Sequence, residues 1–106
     1  MNNFKLFCIT NIQTKELDDL PLDLVGVGKN KFNNNYITCE KGQNINEKEK
    51  YYSELTFHYW FWKNKLNDFS DDIWIGFCQR RRFWVKSNSI EKNYSLKNVV
   101  LNKPPE

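Results

Sequence analysis

Ile75–Lys86 reads IGFCQRRRFWVK. Its first half continues an apolar, β-prone run, and Ile73–Cys78 (IWIGFC) reads as a buried strand. Its second half sets Arg80, Arg81 and Arg82 directly past the carboxyl end of that strand. A buried strand does not end in three unneutralised charges unless something negative meets them. In open α/β sheets that edge is where ligands bind. The stretch therefore raises a question of fold and a question of chemistry together: which anion lies there.

Working outward, Phe4–Thr10 (FKLFCIT) reads as a buried strand, and Leu22–Gly28 (LDLVGVG) as another, entered after Pro21 and closed by Gly28. Asn30–Asn35 is a loop, Thr38–Ile45 has no clear period, and Leu96–Leu101 offers a fourth strand. Between the second and third strands the sequence predicts one long helix over Asn46–Leu66. Asn46 stands at the N-cap, Glu49 three residues on completes a capping box, and Lys63 and Lys65 fall in the last turn, an order that suits the helix dipole. Tyr51, Tyr52, Phe57, Tyr59, Trp60, Phe61 and Trp62 make its middle aromatic nearly all round. A surface helix would show one apolar stripe, so this one is expected to be buried on more than one side. Strands alternating with a helix give an α/β layer fold.

The chain has 106 residues, room for a single domain spanning 1–106 with a thin core. Aromatics at 16% exclude a disordered tail. Sixteen basic against 13 acidic residues leave a net charge of only +3, short of a dedicated nucleic-acid binder, so any positive site is local and Arg80–Arg82 is the cluster that supplies it. Cys8, Cys39 and Cys78 are odd in number and lack metal-ligand spacing; they read as buried free thiols in a reducing compartment. No apolar run approaches the roughly 18–20 residues of a membrane span. The first ten residues lack a signal peptide's apolar core and cleavage site. The cytoplasm is the expected location, with attachment at the inner membrane at most peripheral.

Two stretches carry a resemblance. Gly42–Asn64 (GQNINEKEKYYSELTFHYWFWKN) resembles the signature Gly-Asp-Asn-Ile-Ser…Tyr-Cys-Glu-Leu-Thr…Tyr-Trp-x-Trp-Lys-Asn, and Ile75–Trp84 resembles the Ile-Gly-Leu-x-His-Tyr-Arg-Arg-Tyr-Phe that follows it. Both belong to a bacterial domain of unknown function, regarded as glycosyltransferase-like, found in capsular and exopolysaccharide biosynthesis proteins. Order and spacing agree from about Leu22 to Trp84. Gly42, Asn44 and Ile45 match the first element, with Gln43 for its Asp; Tyr52, Glu54, Leu55 and Thr56 match the second, with Ser53 for its Cys. Tyr59, Trp60, Trp62, Lys63 and Asn64 complete the helix motif, and Arg81 and Arg82 match the paired arginines. Gln79 replaces the motif's His and Arg80 its Tyr, which removes an imidazole from the place where a catalyst would be sought.

The resemblance implies a partial Rossmann-like layer fold of the GT-A glycosyltransferase type, with a long buried helix, a nucleotide-sugar donor and a glycan acceptor. Members are typically longer, so it also implies a truncated copy or an N-terminal part, the acceptor side lying in a missing C-terminal half or a partner chain. In that reading Arg81 and Arg82 stabilise the departing diphosphate and Glu54 acts as base or orients an arginine. Asn44, Gln79, Arg80 and Trp84 hold the donor, Trp84 by stacking on a sugar or base. Guanidinium forks suit phosphate oxygens. No Asp-x-Asp triplet occurs in the chain, so the arginines would neutralise the leaving group directly, and a divalent ion (Mn or Mg) stays an open question.

Each feature also has a plainer reading. The arginines can pair with Glu54, Asp71 or Asp72, and Glu54 and His58, four residues apart, share a helix face and can hydrogen-bond. His58 then packs rather than catalyses, and Asp71-Asp72 is a solvated turn. Two rival functions follow: a non-catalytic module that binds nucleotide, glycan or another subunit, and nucleic-acid binding through Arg80–Arg82 and Trp84, marked by steep salt dependence.

Overall fold

A computed structural model describes residues 4–85 and residue 101. In chain order its elements are β1 (Phe4–Thr10), α1 (Lys15–Asp18), β2 (Asp23–Gly26), β3 (Ile37–Thr38), α2 (Glu49–Tyr52), α3 (Leu55–Asn64) and β4 (Trp74–Gln79). The strands form one parallel sheet in the order β3-β2-β1-β4. The expected α/β fold is present.

β1 explains the sheet. Its side chains alternate between two buried faces, which is why it reads as a continuous apolar run. Phe4, Leu6 and Cys8 join Leu17, Leu20, Leu24 and Tyr36 on one face, where α1 and the loop before β3 cover the sheet. Phe7 and Ile9 join Val25, Val27, Phe57, Trp60 and Phe61 on the other, under α3. Phe57 is fully buried there, its ring 5.2 Å from that of Phe7 and 6.0 Å from that of Trp60. In register, Cys8 stands opposite Leu24 on one side and Cys78 on the other. All three cysteines are free and buried.

The expected strands at Phe4–Thr10 and Ile73–Cys78 are β1 and, one residue later, β4; β4 is not the buried strand expected, because at the sheet edge it is mostly half-buried and Trp74 is exposed. The expected Leu22–Gly28 strand contracts to Asp23–Gly26, although the Val27 N–H still donates to the Thr10 carbonyl at 2.9 Å. Gly28, at φ +89°, then turns the chain away. The candidate strand Leu96–Leu101 lies outside the described residues except for Leu101, whose N–H donates to the Trp84 carbonyl at 2.7 Å.

The single helix expected over Asn46–Leu66 is not formed. A short 3₁₀ turn, Asn46–Lys48, leads into α2, which ends at Ser53 with φ 50° and ψ −125°. Those angles lie outside the helical region, so α3 starts afresh at Leu55. Asn46 does not cap a helix either. Its carboxamide accepts from the Gly28 N–H at 2.8 Å and donates to the Gly28 carbonyl at 3.0 Å, clamping this segment to the end of β2. Nor is the helix buried all round: Thr56, Phe57, Trp60 and Phe61 face the sheet, while Leu55 and Trp62 are exposed. One face suffices because α3 packs on a single side of the sheet.

Candidate functional site

Parallel strands deliver their carboxyl ends to one edge. Here β1 ends in Thr10-Asn11, β2 runs on into Val27-Gly28, and β4 ends in Gln79. The chain then reverses at once. The Arg82 N–H donates to the Gln79 carbonyl at 2.9 Å and the Gln79 N–H to the Arg82 carbonyl at 3.1 Å, so Gln79–Arg82 is a closed turn with Arg80 and Arg81 at its tip. The Arg80 N–H donates to the Ile9 carbonyl at 3.2 Å, tying the turn to β1. Trp84 folds back so that its indole N–H donates to the Phe77 carbonyl at 3.0 Å.

Two clefts adjoin along this edge, with Ile9, Glu54 and Gln79 lining both. The larger, of about 330 Å³, is walled by His58, Phe77, Cys78, Arg82, Phe83 and Trp84. The smaller, of about 120 Å³, is walled by Thr10, Asn11, Glu49, Ser53, Arg80 and Arg81. Glu54 and Gln79 thus stand on the ridge between an aromatic half and a basic half. Among the described residues none of the three guanidinium groups forms an ion pair, with Glu54, Asp71, Asp72 or any other acid.

The structure therefore gathers Glu54, Gln79, Arg80, Arg81, Arg82 and Trp84. It does not bring Asn44 to them. The Asn44 carboxamide donates to the carbonyls of Glu40 and Gly42 at 3.1 and 2.9 Å and accepts from the Asn46 N–H at 3.1 Å, which knits its own loop. Other residues of the resemblance likewise build the frame. Trp60 donates its indole N–H to the Lys41 carbonyl at 2.7 Å, Asn64 donates to the Gln43 carbonyl at 2.9 Å, and at Gly42, where φ is +78°, a Cβ would run into the Asn64 carboxamide.

His58 is the residue the sequence undervalued. It lines the larger cleft beside Glu54, its ring centroid 4.4 Å from that of Phe77. Burial pushes its pKa below the ordinary 6.5, against the pull of the Glu54 carboxylate. Between β1 and β4, Cys8 and Cys78 face each other in register, and their interaction raises the pKa of Cys8 and lowers that of Cys78. Asn11, Glu49 and Ser53 were also unforeseen. The signal that finds Asn11 is the parallel sheet itself, since the residue after β1 must share an edge with the residue after β4. Among the described residues no group of three or more His, Cys, Asp or Glu side chains is gathered as a metal site would need.

Fold and site define a parallel α/β domain whose strand-end edge is basic, open and flanked by aromatic rings. The chain belongs to the family described as a domain of unknown function (DUF4422), whose model matches residues 8–103. No curated relative and no solved structure matched it.

Proposed function

We propose that this edge binds the phosphates of a nucleotide-activated sugar and that the domain serves glycosyl transfer in capsule or exopolysaccharide biosynthesis. The observation that carries the reading is the convergence of Glu54, Gln79 and three guanidinium groups, unpaired among the described residues, on adjoining clefts at the carboxyl ends of parallel strands. The order β3-β2-β1-β4 agrees with the first four strands of a doubly wound nucleotide-binding sheet. The resemblance of Gly42–Asn64 and Ile75–Trp84 supplies the sugar.

In this reading an acceptor hydroxyl attacks the anomeric carbon. The bond from that carbon to the diphosphate oxygen breaks, and its electron pair stays on the diphosphate. Glu54 takes the hydroxyl proton, directly or by orienting the group that does. Arg80 and Arg81 in the small cleft and Arg82 in the large one offset the charge that develops on the leaving group, as preorganised donors do without reorganising. Trp84 and Phe77 give the large cleft flat apolar walls for a sugar or base.

A second reading, a non-catalytic nucleotide- or glycan-binding module, is favoured by Gln79, which stands where the resembled motif has His. Titrating the purified chain with UDP-, GDP- and CMP-sugars, with and without Mn²⁺, beside a short RNA at low and high salt, separates the readings. Saturable binding of one nucleotide sugar, weakened about tenfold or more in Arg81→Ala, is expected, because a charged hydrogen bond is worth roughly 1.5–3 kcal/mol. Binding without transfer to any glycan acceptor would favour the module. A folded chain that binds no nucleotide sugar, or that prefers RNA with a steep salt dependence, sinks the donor site.

A further inference from the structure

The clefts use the N-terminal end of α3 and the sheet uses its inner face; its outer face remains. Leu55, Tyr59 and Trp62 follow one another at helical spacing within α3 and so share that face, with Leu66 just past its end. Leu55 is 56% exposed, Trp62 57% and Leu66 42%, and before the break Tyr51 and Tyr52 are 73% and 45% exposed. A row of large apolar side chains this open marks a contact surface.

Charge selects the occupant. From Leu55 to Leu66 there is no acidic residue, while Lys63 and Lys65 stand within the stretch. The Lys63 ammonium lies 3.7 Å from the Trp62 ring centroid and 5.9 Å from that of Tyr59; Lys50 lies 5.0 Å from that of Tyr51. Of the neighbouring acids, Glu49 and Glu54 line the clefts, and Asp68 lines a groove at the other end of the sheet together with Lys65, whose ammonium lies 5.9 Å from the centroid of the buried Trp60 ring; Glu47 is followed by Lys48 and Lys50. Trp, Tyr and Leu without acids, edged by lysines, is the composition of a surface that lies among lipid headgroups.

We infer that the outer face of α3 docks on an anionic phospholipid surface, with Leu55 and Trp62 entering the headgroup layer and Lys50 and Lys63 meeting lipid phosphates. The inference stands independently of what the clefts bind.

The test is co-sedimentation of the full chain with vesicles of phosphatidylcholine alone and of phosphatidylcholine mixed with phosphatidylglycerol, at low and high salt. Pelleting is expected with the anionic vesicles only, and less of it in salt. Lys63→Gln and Lys50→Gln should each weaken it about fivefold and Trp62→Ser roughly tenfold, with far-UV circular dichroism unchanged. A folded chain that ignores anionic vesicles, or binds them equally well in all three variants, overturns the inference. A solution dimer that Trp62→Ser dissociates, without vesicle binding, would assign the stripe to self-association instead.

Discussion

The two ends of the sheet carry charge in opposite ways. At the amino end Lys5 of β1 and Asp23 of β2 sit 3.5 Å apart, and the Ser70 hydroxyl donates to Asp72 at 2.5 Å in the turn that enters β4. The charges of that pair and of Asp72 are answered inside the chain. At the carboxyl end three guanidinium groups crowd one turn, and no described acid pairs with them. Ser53, beside them, holds a positive φ that L side chains rarely adopt. With a net charge of only +3, overall basicity would never have found this site. The missing partner does.

The largest test bears on the frame that holds the carboxyl end. Asn46→Ala leaves the buried N–H and carbonyl of Gly28 without their partners, and an orphaned buried polar group costs about 1–3 kcal/mol. A loss of about 3 kcal/mol is expected in urea unfolding, together with weaker nucleotide-sugar binding. If stability is unchanged, the edge is not held by this clamp and the contrast between the ends loses its structural basis. A smaller effect addresses the contrast itself. Removing the part-exposed amino-end pair by Lys5→Ala should lower stability by about 0.5 kcal/mol. Arg81→Ala should leave stability equal or slightly higher, because it relieves repulsion among neighbouring guanidinium groups. An Arg81→Ala chain destabilised more than Lys5→Ala would mean that the arginine serves the fold after all.

How legible this was depended on what each feature's signal competes with. β1 was readable because a strand buried on both faces is an uninterrupted apolar run; β4 kept the same apolar run although it is a half-buried edge strand, and Arg80–Arg82 were readable because the strand-end rule places them. The break at Ser53 was not readable. Neither Gly nor Pro marks it, and a serine at positive φ leaves no trace in composition. The aromatic girdle misled for a related reason. Trp60 and Trp62 look alike in sequence, yet one donates its indole N–H to Lys41 beneath the helix and the other stands in the open. Asn44 was placed with the donor because a loop-stapling asparagine and a ligand-binding one are the same residue until hydrogen bonds are assigned. His58 and Glu54 were seen as partners on a helix, but only the sheet shows that a cleft opens over both.

The finest test uses His58, the chain's one histidine. Half-burial against Phe77 outweighs the pull of Glu54 and holds its pKa below 6.5 in the folded state. The unfolded chain therefore takes up the proton first as pH falls. Stability from this group is whole above 6.5, declines as pH drops from there toward the lowered folded value, and is flat below it. Unfolding measured between about pH 7.5 and about pH 5.5 should show a shallow loss of stability that His58→Gln abolishes. An anion held in the large cleft beside Arg82 favours the imidazolium, so a saturating nucleotide sugar should raise the histidine's pKa and flatten or reverse the slope. A slope that survives His58→Gln, or that the ligand does not move, would mean that the imidazole does not sense the cleft, and that the edge's chemistry stops at Glu54 and the arginines.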